Sequence, residues 1–99
     1  MNRGDIWTLG DGRNVLVVSL DGMEEAYGAV LVIVLHRPGV YPDTAMSVVI
    51  TDPLPCTAVA VNLQQMRATR FDGAKLQGTV ATDVMDRVNQ ALRAVLDLY

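Results

Sequence analysis

The sequence predicts a mainly β (α+β) domain, a small barrel or sandwich closed by one amphipathic α-helix at the C-terminus. Three observations carry this. Six or seven short apolar, β-branched runs are separated by turns rich in Gly, Pro and Asp. From Asp83 onward the apolar residues change to helical spacing. At 99 residues, 51% apolar and 19% charged, the chain has the length and composition of one globular domain and is neither disordered nor a repeat array. Residues 1–99 are therefore read as a single domain.

Asp5-Ile6-Trp7-Thr8-Leu9 reads as the first strand, and Gly10-Asp11-Gly12 as a tight turn. Asn14 to Leu20 is β-branched, pairs back on the first strand, and stops at Asp21-Gly22. Glu24 and Glu25 mark a solvated loop. Gly28 to Leu35 is apolar at every position after the glycine, so both faces of this strand should be covered, as in the centre of a sheet. His36-Arg37-Pro38-Gly39 ends it, because Pro38 offers no amide donor, and Tyr41-Pro42-Asp43 prolongs the loop. Ala45 to Thr51 is the next strand, closed by Pro53 and Pro55. Thr57 to Leu63, Met66 to Thr69 and Lys75 to Val80 read as further short strands.

In the last segment, Val84, Met85, Val88, Ala91, Leu92, Val95 and Leu96 share one helical face. Asp83, Asp86, Arg87, Gln90, Arg93 and Asp97 take the other. Thr82 is placed to cap this helix with its hydroxyl, and Asp83 suits the positive first turn. Two Arg against three Asp on the polar side argue against a basic membrane-binding helix.

Composition excludes several function classes. One cysteine, Cys56, makes no internal disulfide, and with one histidine it cannot complete a typical zinc site, so no metal is expected. No apolar run approaches the length that spans a bilayer and none follows Met1-Asn2-Arg3-Gly4-Asp5 as a leader would, so the chain reads as soluble and cytoplasmic. Eleven acids against eight bases give a formal charge of −3, so contact with nucleic acid must be local rather than global. Seven of the eight bases are Arg, whose planar fork suits phosphate. A small domain this apolar hides its surface incompletely, which predicts a homo-oligomer.

No phosphate-binding loop, dinucleotide fingerprint, zinc spacing or nucleophile elbow is present, so no cofactor is expected and chemistry must come from isolated residues. Arg13 begins the second strand, and His36 with Arg37 ends the central one. Antiparallel neighbours would bring Arg13 near His36 at one rim. That pair suits phosphodiester cleavage: an imidazole can take the proton of a ribose 2′-OH while a guanidinium stabilises charge on the phosphoryl oxygens. Tyr41 is the aromatic best placed to stack an unpaired base. Thr8, Ser19, Ser47, Thr51 and Cys56 are read as structural.

Arg3-Gly4-Asp5-Ile6-Trp7 and Arg13-Asn14-Val15-Leu16-Val17-Val18-Ser19 resemble the opening of the MazF/PemK toxins. Gly28 to Leu35, Val61-Asn62-Leu63-Gln64-Gln65-Met66-Arg67 and Leu92 to Leu98 are similar to that family's later segments, in the same order. The resemblance implies an SH3-like β-barrel, a homodimer and a type II toxin whose partner is a MazE-like antitoxin. It implies a metal-independent endoribonuclease that cuts single-stranded RNA through 2′-OH attack, leaving 2′,3′-cyclic phosphate and 5′-OH ends. Arg13 matches the family's catalytic arginine, and Arg37, Tyr41, Arg67 and Arg70 are the expected RNA contacts. The family's catalytic hydroxyl, just after the third strand, falls on His36. Either His36 takes over proton transfer, the reading adopted, or the fold survives as a catalytically inactive binder. Asn14 stands where the family has proline. The short Gly10-Asp11-Gly12 loop implies an open groove that admits folded loops, such as those of transfer RNA, as well as messenger RNA. The alternative within this fold is a gyrase-inhibiting, CcdB-like toxin, but its Trp-Gly-Ile ending is replaced by Asp97-Leu98-Tyr99.

Overall fold

The computed structural model describes residues 1–98. In chain order it has β1 (Asp5–Thr8), β2 (Asn14–Val17), α1 (Met23–Tyr27), β3 (Ala29–Val34), β4 (Ser47–Ile50), β5 (Cys56–Val59), β6 (Leu63–Arg67), β7 (Lys75–Thr79) and α2 (Thr82–Leu96). Two 3-10 turns, Ala60–Asn62 and Ala68–Phe71, flank β6. The strands form an antiparallel five-stranded sheet in the order β6-β3-β2-β1-β7 and a separate β4-β5 hairpin. The two sheets meet where His36 and Thr57 exchange both backbone hydrogen bonds, each 3.0 Å.

Chain length dictates the curvature of the large sheet. Strand β6 ends level with Ala29, at one end of the sheet, and β7 starts beside Thr8, at the other. Laid flat, four strand spacings of about 4.8 Å would also separate these edges by roughly 19 Å. Only residues 68–74 join them, and the 3-10 turn shortens that link. The sheet therefore curls until its edges approach. Leu9, Val15, Val17, Val30, Val32 and Met66 fill the curl, with Trp7 meeting Phe71 edge-on at 6.1 Å. The opposite parity, Ile6, Leu16 and Ile33, packs with Val48, Ile50 and Ala58 of the hairpin and Met85, Val88 and Ala91 of α2. Each fully buried Val, Leu or Ile among them contributes about 1.5–3 kcal/mol. Both faces of β3 are largely covered, as its unbroken apolar run requires; Leu31 is exposed and Val34 half-buried.

The N-terminal Arg-Gly-Asp run is structural. Arg3 Nε donates to the Val18 carbonyl (2.9 Å) and its Nη2 to Asn89 Oδ1 of α2. The buried Asp5 carboxylate accepts the Thr79 hydroxyl (2.6 Å) and the Asn2 N–H (2.9 Å).

Four expectations are corrected. Glu24 and Glu25 lie in the short helix α1, bounded by Gly22 and Gly28 with φ of 90° and 69°. It buries no residue, so it leaves no apolar period in the sequence. The run from Thr57 to Leu63 is not one strand: Ala60 N–H bonds the Met46 carbonyl (3.0 Å), and the chain turns there to pass from the hairpin to the large sheet. Continuous apolar character hides that switch, and the following strand is Leu63–Arg67 rather than Met66 to Thr69. The N-cap of α2 is Ala81, with no side-chain cap, and Thr82 is already helical. Val80, buried and bonded through its N–H to the Gly4 carbonyl (3.0 Å), fixes the chain one residue earlier than expected. No helix among the described residues is long and apolar enough to cross a membrane.

Candidate functional site

The start of β2 and the end of β3 share one rim. Val15 pairs with Val34, and Leu35 N–H donates to the Asn14 carbonyl (2.9 Å), so the register continues to set Arg13 opposite His36. Leu35 packs with the Ile6–Leu16–Ile33 face. Alternation therefore returns His36 to the face of Val32 and Val34, at the mouth of the curled sheet, where Arg13 follows Val15 and Val17. Thr57 continues this row from β5. As His36's direct bridge partner it shares the histidine's face.

The two principal side chains turn to different neighbours. Exposed Arg13 donates its backbone N–H to Asp11 Oδ1 and its Nε–H to Asp11 Oδ2, both at 3.0 Å. Arg70 Nη2, from the 3-10 turn after β6, lies 3.5 Å from the same Oδ2. The Arg13 backbone N–H first, then the Arg13 and Arg70 guanidiniums, hold the Asp11 carboxyl below the usual carboxylate value. His36 Nε2 lies 2.5 Å from Asn62 Nδ2, and its ring meets Tyr41 at 4.7 Å and 61°. An amide nitrogen that donates makes Nε2 the acceptor and leaves the ring proton on Nδ1; rotating the amide by half a turn reverses both roles.

The loop carrying Tyr41 is pinned. Asp43 accepts the Val49 N–H (2.9 Å) and an Arg87 guanidinium N–H from α2 (2.6 Å). The Ser47 hydroxyl donates to the Pro42 carbonyl (2.5 Å). Arg37 is exposed and follows His36 at the base of this loop. Arg67 is not brought to this rim: it pairs with Ala29, at the far end of β3.

Sequence reasoning brought Arg13 and His36 to one rim but missed Asp11, Asn62 and Thr57. The Asp11-Gly12-Arg13 spacing carried a readable signal, since an Asp side chain readily bonds the amide two residues on. Asn62 entered only within the family-like segment 61–67, with no site role, and nothing local marks Thr57; both reach His36 only through tertiary register. The Thr57 hydroxyl is fully buried and has no hydrogen-bond partner among the described residues. Cys56 is buried as well, and burial pushes its thiol up to about 11, which fits a structural rather than a nucleophilic role.

The chain matches no protein-family model and no curated protein sequence. Its fold is found in solved structures of bacterial toxins. An endoribonuclease from a mycobacterial species is similar with TM-score 0.87 and 21% identity, over 99% of this chain and 92% of that one. A mycobacterial endoribonuclease in complex with its cognate antitoxin gives TM-score 0.84 and 21% identity, over 100% and 97%. The MazE–MazF complex of Deinococcus radiodurans gives 0.81 and 19%, over 100% and 97%. The mainly β architecture with its C-terminal helix is thus the MazF fold over essentially the whole chain.

Proposed function

We propose that this chain is the toxin of a type II toxin–antitoxin system, an endoribonuclease that cuts single-stranded RNA or unpaired loops without a metal. The observation that carries the reading is the register of Arg13 and His36 at the mouth of a MazF-fold sheet. Arg13 presents its Nη groups to the phosphoryl oxygens and offsets the charge that accumulates on them as the 2′-OH attacks in line. His36 removes the 2′-OH proton through whichever ring nitrogen is unprotonated. The bond from phosphorus to the 5′ oxygen breaks, that oxygen takes a proton from water, and a 2′,3′-cyclic phosphate and a 5′-OH remain. Arg70 and Arg37 contact flanking phosphates, and Tyr41 stacks a base beside His36.

The partner is a MazE-like antitoxin, in keeping with the antitoxin-bound neighbours; an extended acidic segment satisfies the arginines that hold RNA. The toxin acts in the cytoplasm as a homodimer, in keeping with the exposure of Leu20, Tyr27 and Leu31 on a single chain.

The test is incubation with defined oligonucleotides in EDTA, beside Arg13→Ala and His36→Ala. Discrete cuts with 5′-OH ends, lost in both variants, are expected. Intact RNA from a folded sample would refute the reading.

A further inference from the structure

The Asp11 carboxylate stands where a bound anion would be least welcome, between two guanidiniums that are the site's natural phosphate ligands. Its Oδ2 takes the Nε–H of Arg13 at 3.0 Å and lies 3.5 Å from Arg70 Nη2, while Oδ1 takes the Arg13 backbone N–H at 3.0 Å. A negative charge here opposes RNA binding by simple electrostatics. What it supplies instead is geometry. A guanidinium donates through a planar fork, and a partner on Nε leaves the paired Nη edge free for bidentate contact with a phosphate. Arg13 is otherwise an exposed side chain with freely turning bonds at the end of a strand. The backbone bond to Oδ1 fixes the carboxylate, and the carboxylate fixes the arginine. The same charge offsets the repulsion between Arg13 and Arg70, so that two guanidiniums sit side by side.

We propose that Asp11 is the positioning residue of the site: it tethers Arg13 by Nε, aims the Nη edge at the scissile phosphate and holds Arg70 beside it. This rests on the ribonuclease reading above. It predicts effects of opposite sign on binding and turnover. Asp11→Asn keeps an oxygen for the Arg13 backbone N–H but removes the charge and the second acceptor. RNA should then bind as tightly or more tightly, because a repelling charge is gone. Turnover should fall by about 10- to 100-fold, the scale of a misaligned catalytic group.

The experiment measures kcat and KM for a short RNA with wild type and Asp11→Asn, and follows the Arg13 Nε–Hε resonance by NMR during titration with inorganic phosphate. A lower kcat without a higher KM supports the tether. An unchanged kcat overturns it, as does a parallel rise in KM with kcat preserved. If wild type leaves RNA intact, the ribonuclease reading fails and the resonance decides the tether alone. An Arg13 Nε–Hε signal protected in wild type, retained at saturating phosphate and exposed in Asp11→Asn supports it. Displacement of that signal by phosphate in wild type would show that Asp11 merely occupies the anion site, and would overturn it. An unprotected Nε–Hε in wild type would do the same.

Discussion

Asn62 Nδ2 stands 2.5 Å from His36 Nε2, a contact between residues 26 apart in sequence. It exists because the 3-10 turn Ala60–Asn62 delivers the chain from the hairpin to the sheet edge beside the end of β3, where Leu63 pairs with Ile33. The amide fixes the ring's rotation and, by the atom it presents, selects which ring nitrogen carries the proton. With Tyr41 against the ring, His36 is held from two sides.

Asn62→Ala is expected to reduce RNA cleavage in turnover more than in affinity, because the imidazole is freed to turn. The stability cost is small, about 1 kcal/mol for one part-buried hydrogen bond. Urea denaturation with parallel cleavage kinetics checks both. A large loss of stability with unchanged turnover would show a structural bond only.

The Tyr41 loop is expected to depend on an ion pair on α2. Arg87→Ala removes the 2.6 Å contact to Asp43 and should raise KM a few-fold, with kcat and melting temperature nearly unchanged, since exposed pairs contribute little to stability. The Val49 N–H first, then the Arg87 guanidinium, hold the Asp43 carboxyl below its ordinary value of 3.8. A depressed folded-state value means the tether is complete above the unfolded value and is lost as pH falls through the folded one. The amide resonance of Val49, whose N–H bonds Asp43, should therefore be constant from neutral pH down to about pH 5 and change only below the ordinary carboxylate range. A change near pH 6 would contradict this.

Much of the fold was legible because local patterns and tertiary demands agree. The β2 run from Val15 and the β3 run are apolar without interruption as two buried faces require, and α2 repeats at helical spacing because one face packs on the sheet. Antiparallel order alone placed Arg13 by His36. The rest was hidden for physical reasons. Helix α1 buries nothing, and the turn at Ala60–Asn62 has the composition of a strand. Arg67 and Arg70 are three residues apart, yet only Arg70 reaches Arg13's neighbour Asp11, because the link between β6 and β7 crosses the open curl.

Gly78→Ala should be among the more damaging single-methyl additions in this chain. A Cβ at Gly78 would lie 2.7 Å from Pro53 Cβ and 3.0 Å from its Cγ, at a φ of +143° that side chains rarely adopt. Proline is a rigid neighbour, so β7 or the loop before β5 must shift. The expected cost is about 2 kcal/mol, or roughly a 10 °C fall in melting temperature for a domain of this size. Calorimetry measures it. A loss near zero would mean that the two segments separate without strain.

Thr57 offers the sharpest separation of packing from chemistry. Its hydroxyl is fully buried, has no partner among the described residues, and lies on the same face as His36 across a two-bond bridge. A buried hydroxyl without a hydrogen bond is destabilising, and valine replaces it with a methyl of similar size. Thr57→Val should therefore stabilise the protein by about 1 kcal/mol, visible as a melting temperature several degrees higher. Cleavage should persist, because an atom with no exposure touches no RNA, and the backbone exchange with His36 does not depend on the side chain. Loss of cleavage in a stabilised Thr57→Val would reverse that assignment: the hydroxyl missing at the end of β3 would then be supplied from β5, through a rearrangement that exposes it on binding.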